Sequence, residues 1–187
     1  MKTLKTIIIF LMLLVNSSPA IAAYTISQLT NSSSQESWTR INANGDVVWM
    51  AAESSNWGVY LFKASTSAIT RLSTGVFPAI NNSGMVVWAN SPFGVYLFDG
   101  TTTKRISANN YLDIDPQINS SGQVVWSGRK KQSDDFEIFF YDGNTTTQLT
   151  ANSVEDLSPQ INNAGQIAWF SLNQETGERD AYFADPN

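Results

Sequence analysis

One nine-residue phrase recurs four times in this chain. It reads Ile-Asn-x-x-Gly-x-(Val/Ile)-(Val/Ala)-Trp and occupies residues 41–49, 80–88, 118–126 and 161–169. Its glycines stand at 45, 84, 122 and 165, giving steps of 39, 38 and 43 residues. A period of roughly 40–45 residues made of short strands is the mark of propeller blades. The period restricts the fold tightly, because so short a unit cannot bury a core alone and must stack on its neighbours.

Each repeat divides into four extended pieces. The first is Pro-x-Ile-Asn, at 78–81, 116–119 and 159–162, with Thr39-Arg40 in place of the Pro-x pair in the first repeat. The second is the run ending in Trp. The third is β-branched and aromatic, at 59–62, 95–98, 138–141 and 181–183. The fourth is rich in Thr, at 69–73, 103–107 and 146–150. These residue types suit a pleated, half-buried surface. The connections carry turn chemistry: Asn-x-x-Gly between the first two pieces, and Asp99-Gly100 or Asp142-Gly143 between the last two. Uninterrupted apolar runs such as Val86-Val87-Trp88 call for cover on both faces of a sheet, which stacked blades provide.

The last repeat lacks a fourth piece, while residues 24–30 match 145–150 in type and ending. Pairing that segment with residues 180–184 would remove an exposed edge. The expected fold is therefore an all-β, four-bladed β-propeller of four-stranded antiparallel blades. Its repeats lie near 39–73, 78–107, 116–150 and 159–185, and the amino-terminal strand (about 24–30) completes the last blade and closes the ring.

Residues 1–22 stand apart. Lys2 and Lys5 precede a short apolar run from 7 to 15, and Ala20-Ile21-Ala22 has the small-x-small cleavage pattern. That is a secretory signal peptide cut before Ala23, leaving 23–187 as a single β-propeller domain. Export to the periplasm or beyond is expected, with no membrane insertion after cleavage. The remaining chain keeps all 16 acids against nine lysines and arginines, a formal charge of −7. That balance argues against a nucleic-acid partner, which needs a basic face. Cysteine and histidine are both absent, so Ser-His-Asp and Cys-His catalysis and Cys/His zinc sites are excluded for this sequence.

The blade resembles the TolB-like family of β-propellers, the WD40-like repeats of exported bacterial proteins. The resemblance rests on Gln148-Leu149-Thr150, on Asp156-Leu157-Ser158-Pro159, on the turn Asn162-Asn163-Ala164-Gly165 and on the aliphatic-aromatic strand that follows. Members of that family commonly carry Ser-Pro-Asp-Gly where this chain has Asn-x-x-Gly. The resemblance implies the blade and not an activity.

Strand alternation sends the repetitive Asn-x-x-Gly and Asp-Gly turns to one rim. The loops between second and third strands, and between blades, go to the other. Twelve of the 16 acids fall on or beside this second rim, together with Trp38, Trp57, Phe77, Phe93, Tyr111 and Phe136. Variable loops on a rigid scaffold are where binding is usually placed. The candidate binding residues are Glu36, Trp57, Tyr111, Asp113, Asp115 and Asp156. Three of them, Glu36, Asp113 and Asp156, share one repeat position, where the second blade has Gly75. Around a channel mouth they would suit a Ca²⁺ ion. A carboxylate pair would suit polysaccharide hydrolysis. The plainest reading is that each accepts hydrogen bonds that stiffen its own blade. Trp49, Trp88, Trp126 and Trp169 repeat inside apolar strands and read as core between blades. The expected function is a non-catalytic module binding a protein or glycan of the cell envelope or exterior. A carboxylate-dependent enzyme on polysaccharide is the first alternative. The second is a homo-oligomer assembling by strand exchange into a larger ring.

Overall fold

In a computed structural model, residues 24–90, 94–108 and 112–186 are described. The leader, cut site and Tyr111 proposed from the sequence lie outside them. Fifteen strands form four antiparallel sheets and no helix occurs among the described residues. The first sheet is β1 (Glu36–Ile41), β2 (Val47–Ala52), β3 (Trp57–Lys63) and β4 (Ala68–Thr74). The second is β5 (Val76–Ile80), β6 (Val86–Asn90), β7 (Gly94–Phe98) and β8 (Thr103–Arg105). The third is β9 (Leu112–Ile118), β10 (Val124–Arg129), β11 (Glu137–Tyr141) and β12 (Thr146–Gln148). The fourth is β13 (Asp156–Ile161), β14 (Ile167–Leu172) and β15 (Arg179–Ala184). Each sheet is a meander in chain order, the arrangement expected of a blade.

The first strands begin two to four residues earlier than the Pro-x-Ile-Asn phrase suggested, and the acids Glu36, Asp113 and Asp156 are strand residues. A β-bulge lets each strand pass its proline, or Thr39 in the first blade, and keep pairing on both sides. The fourth sheet departs from expectation in another way. It has three strands, and residues 24–30 are not one of them. In the separate amino-terminal unit, ending at Ser33, the only bridge residue among those described is Ser27. β15 is thus left as an edge strand, exposed at five of its six positions.

The core lies between blades. Every sheet has a leading face, which carries the repeated Trp, and a trailing face. The trailing Val48, Val59 and Leu61 of the first blade pack on the leading Val86 and Trp88 of the second. The trailing Val87, Val95 and Leu97 pack on Val124, Trp126 and Phe139 of the third. The trailing Val125 and Ile138 pack on Ile167 and Trp169 of the fourth. Each Trp also stacks on an aromatic of its own third strand: Tyr60, Tyr96, Phe139 and Tyr182 respectively, at 5.7, 6.1, 5.8 and 5.8 Å between centroids. The core role read for these tryptophans thus holds, although Trp169 is only half-buried.

The Asn-x-x-Gly turn does two jobs. In all four copies the Asn Oδ1 accepts the backbone N–H groups two and four residues on, at 2.9–3.1 Å. The side-chain amide then reaches the next blade. Asn42 Nδ2 donates to Asn81 O, Asn81 Nδ2 to Asn119 O, and Asn119 Nδ2 to Asn162 O, each at 3.0 Å. The glycine takes φ between 78° and 82°, open to Gly at no steric cost.

Candidate functional site

Among the described residues, four of the five non-glycine residues with positive φ occupy one repeat position: Trp38 (60°), Phe77 (55°), Asp115 (51°) and Ser158 (56°). Each is the residue before the proline, or before Thr39 in the first blade, and each sits in the bulge of a first strand. The left-handed region costs an L-residue about 1–2 kcal/mol, and the bulge takes the residue out of the ladder's alternation. The first strands of successive blades pack side by side, so these residues gather along the inner edge of the stack.

Three of them interact, directly or through Arg40. Trp38 and Phe77 meet edge to face with centroids 4.8 Å apart. The Arg40 guanidinium lies 5.2 Å from the centre of the Trp38 ring. Arg40 also acts electrostatically on Asp115, two blades away. Burial pushes the Asp115 carboxyl above its ordinary range and the Arg40 charge pulls in the opposite direction. The result is an aromatic corner with two groups of opposite charge near it, all half-buried except the exposed Arg40. Asp115 was legible in the sequence as a candidate. Arg40 was missed, and Trp38 and Phe77 were read only as rim aromatics. The signal that would have joined them is their shared place one residue before Pro or its substitute.

The acids of the other repeat position serve the blade itself. Asp113 is buried, and its Oδ1 accepts Trp126 Nε1–H at 3.0 Å while Oδ2 accepts the Ser107 hydroxyl at 2.7 Å. Asp156, fully buried, accepts Trp169 Nε1–H at 3.2 Å and Asn152 Nδ2–H at 2.9 Å. In the second blade Gly75 replaces the acid, and the buried Trp88 Nε1 has no partner there. The contrast identifies what the carboxylate does: it is the acceptor for the repeated indole. Glu36 is exposed at the start of β1. Among the described residues no group of three or more acids is brought to metal-binding distance, so Glu36, Asp113 and Asp156 do not converge. Trp57 opens β3 and pairs with Ala52 across the tight turn of residues 53–56, half-buried.

A recess of about 490 Å³ lies beside the long loop of the third blade and is lined by Arg129, Lys130, Asp134, Asp135 and Glu137, among others. Several of its groups are engaged with neighbours. Glu137 accepts Thr150 Oγ1–H at 2.6 Å and Asn152 N–H at 2.9 Å, and burial pushes its carboxyl up. Lys130 donates to Gln148 Oε1 at 2.8 Å, and Arg129 lies 4.7 Å from the Phe136 ring centre.

No family model matches this chain. No curated protein matches it either. Solved structures do. The chain is similar to TolB from Acinetobacter baumannii, with a TM-score of 0.62 and 16% identity over 84% of this chain and 42% of that one. It is also similar to the acylaminoacyl peptidase of Pyrococcus horikoshii, with a TM-score of 0.57 and 12% identity over 82% of this chain and 26% of that one. The chain thus spans about two fifths of the first structure and a quarter of the second. At such identities the likeness is one of fold: the blades are those of a TolB-like β-propeller.

Proposed function

We propose that this protein is an exported, non-catalytic binding module that holds a protein or glycan of the cell envelope or exterior at the inner edge of its blades. The observation that carries this reading is the fourfold bulge. One costly backbone position recurs in every blade, and the side chain it carries differs each time: Trp38, Phe77, Asp115 and Ser158. Constant geometry with variable chemistry is what recognition by a rigid scaffold requires. The Trp38 and Phe77 rings offer flat apolar surface to a sugar face or an apolar side chain. Arg40 and Asp115 offer a donor and an acceptor of opposite charge beside it. Export is supported by the charged start, short apolar run and Ala20-Ile21-Ala22 of the leader.

The test is a binding screen of residues 23–187 against envelope proteins and glycans, followed by titration of Trp38→Ala and Asp115→Ala. At a central contact each change should weaken binding at least thirtyfold, which is about 2 kcal/mol. Thermal melts of the variants separate lost contact from lost fold. Unchanged affinity in both variants would sink the proposal.

A further inference from the structure

In three blades the third strand lies between two partners, and in the fourth it is an edge. β3, β7 and β11 pair with β4, β8 and β12 on their outer side. β15 pairs with β14 over six consecutive residues without a bulge, and among the described residues no strand pairs with its other side. The register sets the phase of that open side. Ala181 holds the position of Val95 and Ile138, whose carbonyls accept Ile106 N–H at 2.9 Å and Leu149 N–H at 2.7 Å from just past the fourth strand. The backbone groups of Ala181 therefore point outward, and by alternation so do those of Arg179, Phe183 and Asp185. Edge strands are commonly blocked by a Lys, a proline or a bulge. Residues 180–184 carry none of these, and the strand's one cation, Arg179, stands at its start.

The side chains of this edge fit a copy of themselves. Laid antiparallel about a twofold axis at Tyr182, the strand sets Ala181 opposite Phe183 and Arg179 opposite Asp185 of a second copy. Both pairings join outward-pointing residues, so both can exchange backbone hydrogen bonds. Arg179 with Asp185 is also an opposite-charge pair, and symmetry makes it twice. Gln166 Nε2–H steadies the Asp185 carboxylate beside the strand, at 2.9 Å. The neighbouring registers of the same phase lose the charge pair, because they set Arg179 opposite Phe183, or Asp185 opposite Ala181. On the trailing face the chosen register makes a complementary row. Phe170 and Ala181 are paired within one copy, Phe183 and Ala168 within the other, so the row across the boundary runs large, small, large, small. Phe183 is 64% exposed and Phe170 46%, so the contact has apolar surface to bury. On the leading face Tyr182, 48% exposed, meets Tyr182 of the second copy across the axis.

We propose that β15 is a self-association edge: two copies of this chain pair β15 with β15, antiparallel about Tyr182, and their two three-stranded sheets merge into one continuous sheet. The contact is isologous and occupies both edges, so assembly stops at two. The occupant is a second copy because the strand supplies both halves of its own charge pair and both halves of its own Phe–Ala row. β15 lies across the sheet from β13, whose bulge carries Ser158, so this inference stands apart from the binding role of the inner edge.

The experiment is sedimentation equilibrium and disulfide linking on residues 23–187. The unaltered chain should have twice the mass of one copy at micromolar concentration. Arg179→Asp and Asp185→Arg each set like charges opposite one another twice, and should weaken the pair at least about tenfold. Both changes in one chain restore opposite charges and should restore the pair. Phe183→Glu puts a charge in the apolar row and should yield monomers with the parent's circular dichroism. The chain has no cysteine, so Tyr182→Cys adds a single thiol. The axis sets it opposite its counterpart at about 4.5 Å between Cα atoms, within the disulfide range of about 4.4–6.8 Å, and mild oxidation should link the copies. Ala184→Cys, set opposite Asp180, should not link. A monomeric parent overturns the proposal, whether an added peptide or residues 24–30 of the same copy then cover β15. So does an assembly larger than two, a pair indifferent to the single charge changes, or equal linking in the two cysteine variants.

Discussion

Replacing Asp113 tests most directly what the repeated acid is for. In Asp113→Ala the fully buried Trp126 loses the acceptor of its Nε1–H, and the Ser107 hydroxyl loses its 2.7 Å partner. Ser107 can rotate its proton toward another acceptor while its oxygen still accepts Val95 N–H, at 3.0 Å. The indole cannot turn, because it is stacked on Phe139 and packed between two blades. A buried donor without a partner costs about 1–3 kcal/mol, and the small void adds to it, so a loss of about 3 kcal/mol is expected. For a domain of this size that lowers the melting temperature by roughly 6–12 °C. Asp113→Asn keeps one oxygen for the indole and turns an amide toward the Ser107 oxygen, so a loss of about 1 kcal/mol is expected. Urea unfolding followed by tryptophan fluorescence measures both. A loss below about 0.5 kcal/mol in Asp113→Ala would refute the reasoning, since it lies within the range of inert surface changes. Equal losses in the two variants would refute it as well, because the carboxylate oxygen would then not be what matters.

Two further perturbations probe other links. Asn81→Asp preserves the Oδ1 bonds to Ser83 N and Met85 N but sets a negative charge against Asn119 O, so it isolates the cross-blade bond. A loss of about 1–3 kcal/mol in urea unfolding is expected, and a neutral result would mean the ladder contributes nothing. Glu53 is held at about 2, chiefly by its paired hydrogen bonds from Arg71 at 2.5 and 2.6 Å, with Tyr60 Oη–H adding a third at 2.8 Å. Its folded value lies below the unfolded one, so its contribution is complete above the ordinary Glu range, near 4.3, and fades as pH falls toward about 2. The cluster is partly exposed, so the contribution is about 1 kcal/mol. Unfolding of the parent and Glu53→Gln should therefore differ at pH 6 and converge in acid. A gap that persists at the acid end would contradict this account.

The repeat phrase was enough to deduce the blades, because Asn-x-x-Gly, Asp-Gly and the apolar runs each state a local preference that the fold obeys. Asn42, Asn81, Asn119 and Asn162 make the same turn bonds to their own neighbours, and such bonds follow from sequence alone. The period also placed Trp49, Trp88 and Trp126 in the core, since a residue recurring within apolar strands must share one environment. The roles of Asp113 and Asp156 were open at that stage. A carboxylate at a strand start looks alike whether it faces a ligand or an indole thirteen residues on, and only packing puts the indole there.

Tertiary structure decided the rest. Left-handed φ at Trp38, Phe77, Asp115 and Ser158 is not a local preference of those residues. It arises where a first strand must pass a proline, or its substitute, and still pair on both sides. The meeting of Trp38 with Phe77, and the reach of the Arg40 charge to Asp115, depend on how blades fan out, which no single repeat encodes. The similarity of residues 24–30 to a fourth strand was real as a pattern, but the last sheet takes three strands. Strand propensity gives a segment the means to pair, but whether it does depends on the packing that pairing brings against the entropy it costs, which a pattern match does not contain.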